Sequence, residues 1–504
     1  DGMLTPAISV LSATEGLKTL NPAFAEWTVP ITVAILVALF AFQYKGSNTI
    51  GKIFGPIILL WFATLGYLGF IKVAERPEVI EALLPTYAID YVVHHGFHTF
   101  IILSSVILAV TGAEALYADL GHFGKRPIRI GWFFIVAPAL VINYLGQAVV
   151  ALENPEAKES LFFALAPNDG VRIYLVVLAT LATIIASQAL ITGVASLSRQ
   201  AVRLGLLPRL KIIHTSSTVI GQIYVPAINL IIGLGSVFLV VNFKSSSALA
   251  NAYSFAISAT MLMTTIAFGY IAAEKFKWNK KLVYLIIPVL IFIDLSFFLA
   301  TVTKIFKGAW VPLLIGFVIT YLMWVWRKGQ SALESAVSEQ NMSWDEVETL
   351  IESGSISIIP DTGIYLSTSA TKVPQALAAQ LNNLHSCPKD ILIVSVIQGD
   401  VPVVTAKPIL KEVNSRVRQL YVWVGFKQDV NIQQSIIENV MSAEDEAECT
   451  YYLADRKFTE SSEGSLKGLT EKTFGILHRN SARASSYFGL PETRVITLGT
   501  QMDL

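Results

Sequence analysis

Nine stretches of roughly twenty apolar residues recur along the first two thirds of the chain, and they restrict the fold more than any other feature. They lie near 29–44, 50–71, 98–118, 128–151, 171–197, 219–242, 248–273, 282–303 and 309–326, and an apolar helix tail precedes them at about 1–17. Of the 504 residues, 53% are hydrophobic and only 15% are charged, whereas soluble domains carry about 25% charged residues. The sequence therefore predicts an α-helical, multi-pass protein of the cell membrane.

The loops between these stretches alternate in charge. Lysine and arginine cluster near 45–52, 125–129, 199–211, 275–281 and 327–328, and acids cluster near 15–26, 75–90 and 153–169. Basic loops face the cytoplasm, so the first segment should run outward and the C-terminal region should be cytoplasmic. The chain opens with Asp1 inside an apolar helix, and we expect an even number of spans to precede it. A net charge of zero without a basic tract argues against a nucleic-acid partner.

From about 329 onward the composition is that of a soluble protein. Short β-branched runs at 356–359, 391–396 and 420–424 alternate with helix-like stretches at 374–384, 430–441 and 469–486. This pattern predicts a transmembrane domain over 1–328 and a small cytoplasmic α/β domain over 329–504. The second domain has no phosphate-binding glycine loop, metal-ligand cluster or nucleophile triad, so we expect neither an enzyme nor a cofactor. We predict that Cys387 and Cys449 are free thiols, with His385 and Cys387 in a loop.

The first residues carry a polar stripe. Asp1, Thr5 and Ser9 are four residues apart and would share one face of a helix. Pro6 cannot donate to the carbonyl of Gly2, which leaves that oxygen free. A row of oxygens with one negative charge in a membrane helix suggests a cation site, because intramembrane acids are often functional. The alternative is a kinked helix with polar residues at its mouth.

A second candidate lies late in the 98–118 stretch. Thr111 and Glu114 are three residues apart and share a face. Gly112 weakens the helix between them by about 1 kcal/mol relative to alanine, and a break there would open backbone carbonyls to a cavity. Alternatively, Glu114 reaches the membrane interface, which Asp119 already marks.

The ligand types in these candidates are carboxylate, hydroxyl and carbonyl oxygens, which favour a small hard cation over a transition metal. Oxygens that replace a hydration shell suit an alkali ion. A carboxylate in a low-dielectric site also holds a proton more readily, so proton coupling needs no further group.

Other polar residues in the spans have simpler interpretations. Asp294 is either a second proton site or the partner of a polar group on a neighbouring helix. His94, His95 and His98 could sense pH, but an interfacial aromatic belt is favoured. Interhelical hydrogen bonding accounts for most of the uncharged group, which comprises Asn143, Tyr144, Gln147, Ser187, Gln188, Asn229, Asn251 and Tyr253.

Several stretches resemble one family. Residues 1–17 (DGMLTPAISVLSATEGL) resemble the third-helix signature of the Kup/HAK/KT potassium uptake transporters. Residues 111–125 (TGAEALYADLGHFGK) resemble the family's sixth helix and following loop, and 186–193 and 198–205 resemble its eighth helix. The resemblance extends over essentially the whole chain.

The resemblance implies a twelve-helix secondary transporter of the LeuT-like, inverted-repeat class (the APC superfamily), which imports potassium with protons. Its key acids fall on Asp1 and Glu114, and its potassium-coordinating oxygens on Thr5, Ser9 and Thr111, with Tyr253 added from the tenth helix. The family's first-helix motif, Gly-Asp-Ile-Gly-Thr-Ser-Pro, and its second helix are not in these residues. We therefore expect the chain to run from the end of helix 3 to helix 12.

We accordingly expect a potassium–proton symporter in the lipid bilayer, with potassium ions and protons as its substrates. A passive potassium channel is one alternative, although no repeated pore loop is present. An amino-acid permease of the same fold is another, but its substrate carboxylate would favour helix N-termini over buried acids. The C-terminal domain could form a homodimer or bind a small-molecule regulator.

Overall fold

The computed structural model describes residues 2–45, 51–112, 125–154, 160–214, 223–339, 342–367, 372–399, 401, 403–425, 428, 431–459 and 466–503. Two compact units divide the chain: Asp1–Ser196 with Ile213–Phe317, and Leu197–Ile212 with Val318–Leu504.

Apolar helices make up most of the first unit. In chain order they are α1 (Leu4–Glu15), α2 (Thr28–Phe42), α3 (Gly51–Glu75), α4 (Pro85–His95), α5 (Phe97–Val106), α6 (Lys125–Glu153), α7 (Leu161–Ala164), α8 (Asp169–Arg203), α9 (Pro226–Phe243), α10 (Ser246–Glu274), α11 (Lys280–Val302) and α12 (Trp310–Glu339). Two of these helices continue into the second unit, α8 with residues 197–203 and α12 with residues 318–339. The charge pattern predicts that both of these helix ends are cytoplasmic.

Among the described residues, seven helices are long and apolar enough to cross a membrane, namely α3, α6 and α8 to α12. This confirms a multi-pass helical membrane protein, but three of the nine predicted spans differ from the prediction within the described residues. The 29–44 stretch forms the 15-residue helix α2, and the 98–118 stretch leaves helical geometry at Thr111. In the 219–242 stretch, 223–224 form a strand and the helix begins at Pro226, because proline is favoured at a first helical position.

Helices α3 and α6 pack closely through two glycines. A Cβ atom on Gly69 would lie 2.7 Å from the Cα of Asn143, and one on Gly146 would lie 2.7 Å from the Cα of Gly69. Asn143 Nδ2 also donates to the carbonyl of Leu65 at 3.1 Å. The predicted interhelical hydrogen bonding is therefore confirmed for Asn143. It is wrong for Tyr144, which is 46% exposed because it lies about 100° further round the helix.

The second unit contains a six-stranded sheet. Its strands are β3 (Ser357–Ser367), β4 (Ser386–Gly399), β5 (Ile409–Glu412), β6 (Val417–Gly425), β7 (Thr450–Thr459) and β8 (Val495–Asp503), after a short β1–β2 pair (Ile213–His214 and Ile223–Tyr224) in the first unit. The order is β5-β6-β4-β3-β7-β8, and all pairs except β5–β6 are parallel. The chain winds outward from β3 in both directions, which is a doubly wound α/β topology.

Helices cover this sheet and close its two hydrophobic cores. They are α13 (Trp344–Glu352), α14 (Gln375–Leu384), α15 (Ile432–Asn439), α16 (Ala443–Glu448), α17 (Leu469–Arg479) and α18 (Ala484–Tyr487). The predicted small α/β domain is confirmed. Its predicted boundary at residue 328 falls inside α12 and stays a prediction.

Both cysteines are buried and free, as predicted. Burial raises the pKa of the Cys387 and Cys449 thiols to about 11, so both stay protonated at neutral pH. The predicted loop position is wrong for Cys387, which is 1% exposed in β4. His385 precedes that strand in a left-handed conformation (φ +46°) that ends α14.

Candidate ion-binding site

Helix α1 places the predicted hydroxyl groups on one face, where Thr5 and Ser9 are both half-buried. Gly16, which directly follows α1, continues this face. A Cβ atom on Gly16 would contact the ring of Phe163 in α7 and would lie 2.7 Å from Cγ2 of Val176 in α8. The Gly16 end of this face therefore packs against protein.

The described part of α1 runs from Leu4, with Pro6 as its third residue. The kink at Pro6 stays a prediction. The carbonyl of Met3, just before the helix, accepts a hydrogen bond from Ser236 Oγ of α9 at 2.8 Å. Asp1, the acid of the stripe, lies outside the described residues.

The hydroxyl of Thr5 is buried and has no hydrogen-bond partner within the described part of the chain. Most membrane threonines here donate to the carbonyl three or four residues earlier, as Thr180 does to Val176 at 2.8 Å. Thr5 makes no such contact with a described residue. An unpartnered buried hydroxyl costs about 1–3 kcal/mol, and its oxygen lone pairs are available to a cation.

Helical geometry ends at Val110, beside the predicted break at Gly112. The α-helix changes to a 3₁₀ turn over Ile107–Val110, Thr111 is extended (ψ 168°) and Gly112 has a φ of +100°. Thr111 Oγ1 donates to the carbonyl of Leu108 at 3.1 Å, and the helix end leaves other carbonyls without intrahelical donors. Glu114 and Asp119 lie outside the described residues.

Tyr253 joins α10 to the same core. It is 8% exposed and belongs to a hydrophobic cluster with Leu4 and Ala7 of α1 and Ile107 of the turn before Thr111. The helices that carry Thr5, Ser9 and Tyr253 and the turn that precedes Thr111 therefore surround a single core.

A side chain that the sequence did not single out links two of these helices. Glu15, at the end of α1, accepts hydrogen bonds from the backbone N–H of Ser246 at 3.1 Å and from its hydroxyl group. Ser246 is the first residue of α10, where a carboxylate also interacts favourably with the helix dipole. Ser245, the N-cap residue of α10, is a helix-start signal in the sequence. The charge pattern placed Glu15 only in an acidic loop.

Asp294 has a polar partner on a neighbouring helix. It is 7% exposed in α11 and accepts a hydrogen bond from Thr265 Oγ1 of α10 at 2.5 Å. This contact corresponds to the helix–helix alternative predicted for Asp294. Its role as a second proton site stays a prediction.

The second unit contains a buried ionic network around Glu446, whose side chain is 1% exposed. Arg494 Nη2 donates to both carboxylate oxygens, at 3.1 and 3.2 Å, and Tyr451 and Gln433 donate at 2.5 and 2.9 Å. Burial opposes ionisation of Glu446, but the hydrogen bonds and the Arg494 charge prevail and hold the pKa of its carboxyl below its usual range. These hydrogen bonds connect α16 to β7 and to Arg494, which directly precedes β8. The network therefore has a structural role.

Comparison with known proteins assigns both domains of the chain to one protein family. Residues 1–331 match the family described as the K+ potassium transporter integral membrane domain, and 360–504 match the K+ potassium transporter C-terminal domain. The chain is 40% identical over its whole length to the probable potassium transport system protein Kup of Chlorobium phaeovibrioides, of which it covers 79%. It is 39% identical to that of Chlorobaculum tepidum, covering 83%, and 38% identical to Kup 2 of Rhodopseudomonas palustris, covering 82%.

Proposed function

Because this chain belongs to the Kup family of potassium transporters, we propose that it imports potassium ions by symport with protons. The observation that carries the proposal is the buried hydroxyl of Thr5, which has no hydrogen-bond partner among the described residues and lies on a helix that shares a core with Tyr253 and Ile107. Neutral oxygens held in a dry site can replace the hydration shell of an alkali ion.

The proposal assigns two roles to the predicted residues. Thr5, Ser9 and Thr111 supply neutral oxygens to the ion, and Tyr253 supplies a phenol oxygen from α10. Asp1 and Glu114 compensate the charge of the ion and exchange protons, since a carboxylate in a low-dielectric site alternates readily between its two forms.

The proposed architecture is the LeuT-like inverted repeat. Its support is the loss of helical geometry at Thr111 and Gly112, because transporters of this class bind ions at broken helices. The alternating basic loops support a cytoplasmic position for the α/β domain. Dimerisation of that domain and its binding of a regulator stay predictions.

The test is uptake of rubidium, a potassium analogue, by the full-length protein in proteoliposomes under an imposed pH gradient. Asp1→Asn and Glu114→Gln should abolish both this uptake and the growth of potassium-uptake-deficient cells at low potassium. Asp90→Asn is the matched control, because the Asp90 side chain is 73% exposed. Normal uptake and growth of both site variants would refute the residue assignment.

A second arm separates the symporter from a passive channel. Dissipating only the pH gradient should slow rubidium uptake by a symporter, because the coupled proton no longer moves downhill. Unchanged uptake after this treatment would favour a channel. Competition by amino acids would favour a permease of the same fold.

A further inference from the structure

The end of α12 has two chemically different faces, and the first is packed. Trp326 and Leu333 are buried in a cluster with Phe474 of α17 and with Leu466. A Cβ atom on Gly329 would collide with the ring of Phe474. This packing, which lies entirely within the second unit, holds the last turns of α12 in one orientation.

The neighbouring face of α12 lines an open cavity of about 540 Å³. Its walls are Trp324, Arg327, Lys328, Ser331, Ala332, Ser335 and Leu466. Four of these, Trp324, Lys328, Ser331 and Ser335, recur at helical spacing and form a continuous strip. The Nζ atom of Lys328 lies 5.1 Å from the centre of the Trp324 ring.

The charge of this cavity is uncompensated. Arg327 and Lys328 are exposed, and neither forms an ion pair within the described part of the chain. Glu334, the acid on this part of the helix, is exposed and is not one of the lining residues. Ser335 Oγ donates to the carbonyl of Ser331 at 3.0 Å, which leaves the Ser331 hydroxyl beside the two cations. Two cations and one hydroxyl donor match the charge and the hydrogen-bond acceptors of a phosphate group.

The position along the helix indicates where the phosphate comes from. Residues Trp310–Ser335 form one of the seven candidate membrane spans, and the cavity occupies the last turns of that span. Tryptophan is typical of the boundary between the hydrocarbon core and the headgroups, and Trp324 is 50% exposed there. Basic pockets at this depth suit anionic headgroups.

We propose that this face of α12 binds the headgroup of an anionic phospholipid. The phosphate contacts Arg327 and Lys328 and accepts a hydrogen bond from Ser331, while the acyl chains extend along the preceding apolar turns. Trp324 lies beside the glycerol backbone. The packing on Phe474 means that the bound lipid contacts a helix fixed to the C-terminal domain.

The experiment is native mass spectrometry of the full-length protein with phosphatidylglycerol, phosphatidylcholine or inorganic phosphate as probe. Phosphatidylglycerol should bind wild type in preference to phosphatidylcholine, and R327Q/K328Q should bind it about 30-fold more weakly. The charge-preserving R327K/K328R should retain most of the binding and verifies folding. K275Q/K277Q removes two charges from exposed lysines elsewhere and should bind as wild type does.

Three results would overturn the proposal. The first is equal phosphatidylglycerol binding by R327Q/K328Q and wild type, and the second is equal binding of the two lipids by wild type. The third is displacement of the lipid by inorganic phosphate at equimolar concentration, which would indicate a site for a free anion.

Discussion

Replacing Thr5 with valine should make the potassium-free protein more stable. The substitution exchanges a buried hydroxyl that lacks a hydrogen-bond partner for a methyl group of similar shape. Since an unpartnered buried hydroxyl costs about 1–3 kcal/mol, the free energy of unfolding should rise by about 1 kcal/mol. For a chain of this size the apparent Tm should increase by about 1–2 °C in potassium-free buffer.

The same substitution should impair transport, because it removes a neutral oxygen ligand of the proposed site. An interaction between a polar group and a full charge contributes about 1.5–3 kcal/mol. At 1.4 kcal/mol per factor of ten, the half-saturation constant for rubidium uptake should rise about 10- to 100-fold. A gain in stability combined with a loss of affinity distinguishes an ion ligand from a packing residue.

Two variants control this experiment. Thr5→Ser keeps the oxygen and should retain near-normal affinity. Thr260→Val removes an exposed hydroxyl that donates within its own helix, to the carbonyl of Ala256 at 2.9 Å, and should leave uptake unchanged. A lower Tm for Thr5→Val, or a half-saturation constant equal to that of wild type, would refute the reasoning.

Three further predictions concern other contacts. Glu15→Gln removes the charge at the start of α10 and should lower stability by about 0.5–1 kcal/mol at low salt, measured as a Tm difference that shrinks with added salt. Gly69→Ala should destabilise the α3–α6 pair by about 1–3 kcal/mol, whereas Gly316→Ala, with nothing within 4 Å of its Cβ, should raise the Tm slightly, because alanine favours a helix over glycine by about 1 kcal/mol. The folded-state pKa of Glu446 is lowered, so its stabilisation is present above the unfolded pKa of about 4.5 and is lost as pH falls through the folded value. The hydrogen-exchange protection factors of β7 and β8 should therefore fall below about pH 4.5. Arg494→Met leaves the Glu446 carboxylate without its ion-pair partner and should lower the free energy of unfolding by about 3 kcal/mol at pH 7. Hydrogen exchange of β7 and β8 at the wild-type rate in this variant would contradict the prediction.

Much of the fold could be predicted because its signals are local. Long apolar runs predict membrane spans, and short β-branched runs predict strands. The strand predicted at 391–396, for example, lies within β4. Cys387 was misplaced because β4 begins five residues before that run, where parallel pairing with β3 extends it. That extension depends on a neighbouring strand, which sequence periodicity does not reveal.

Less of the candidate ion-binding site than of the fold could be predicted from the sequence. The spacing of Thr5 and Ser9 predicted a shared face, but it does not reveal that the Thr5 hydroxyl is buried without a partner among the described residues. Glu15 has its role through Ser246, more than two hundred residues away in the chain, and no local pattern joins them.

Potassium-driven proton movement tests the central claim most directly. The full-length protein is reconstituted in vesicles that contain a pH-sensitive dye, with equal pH on both sides and a permeant anion present to compensate charge. Adding external potassium, but not sodium, should acidify the lumen, and Glu114→Gln should abolish the signal. Entry of rubidium at the wild-type rate without any lumen acidification would contradict potassium–proton symport.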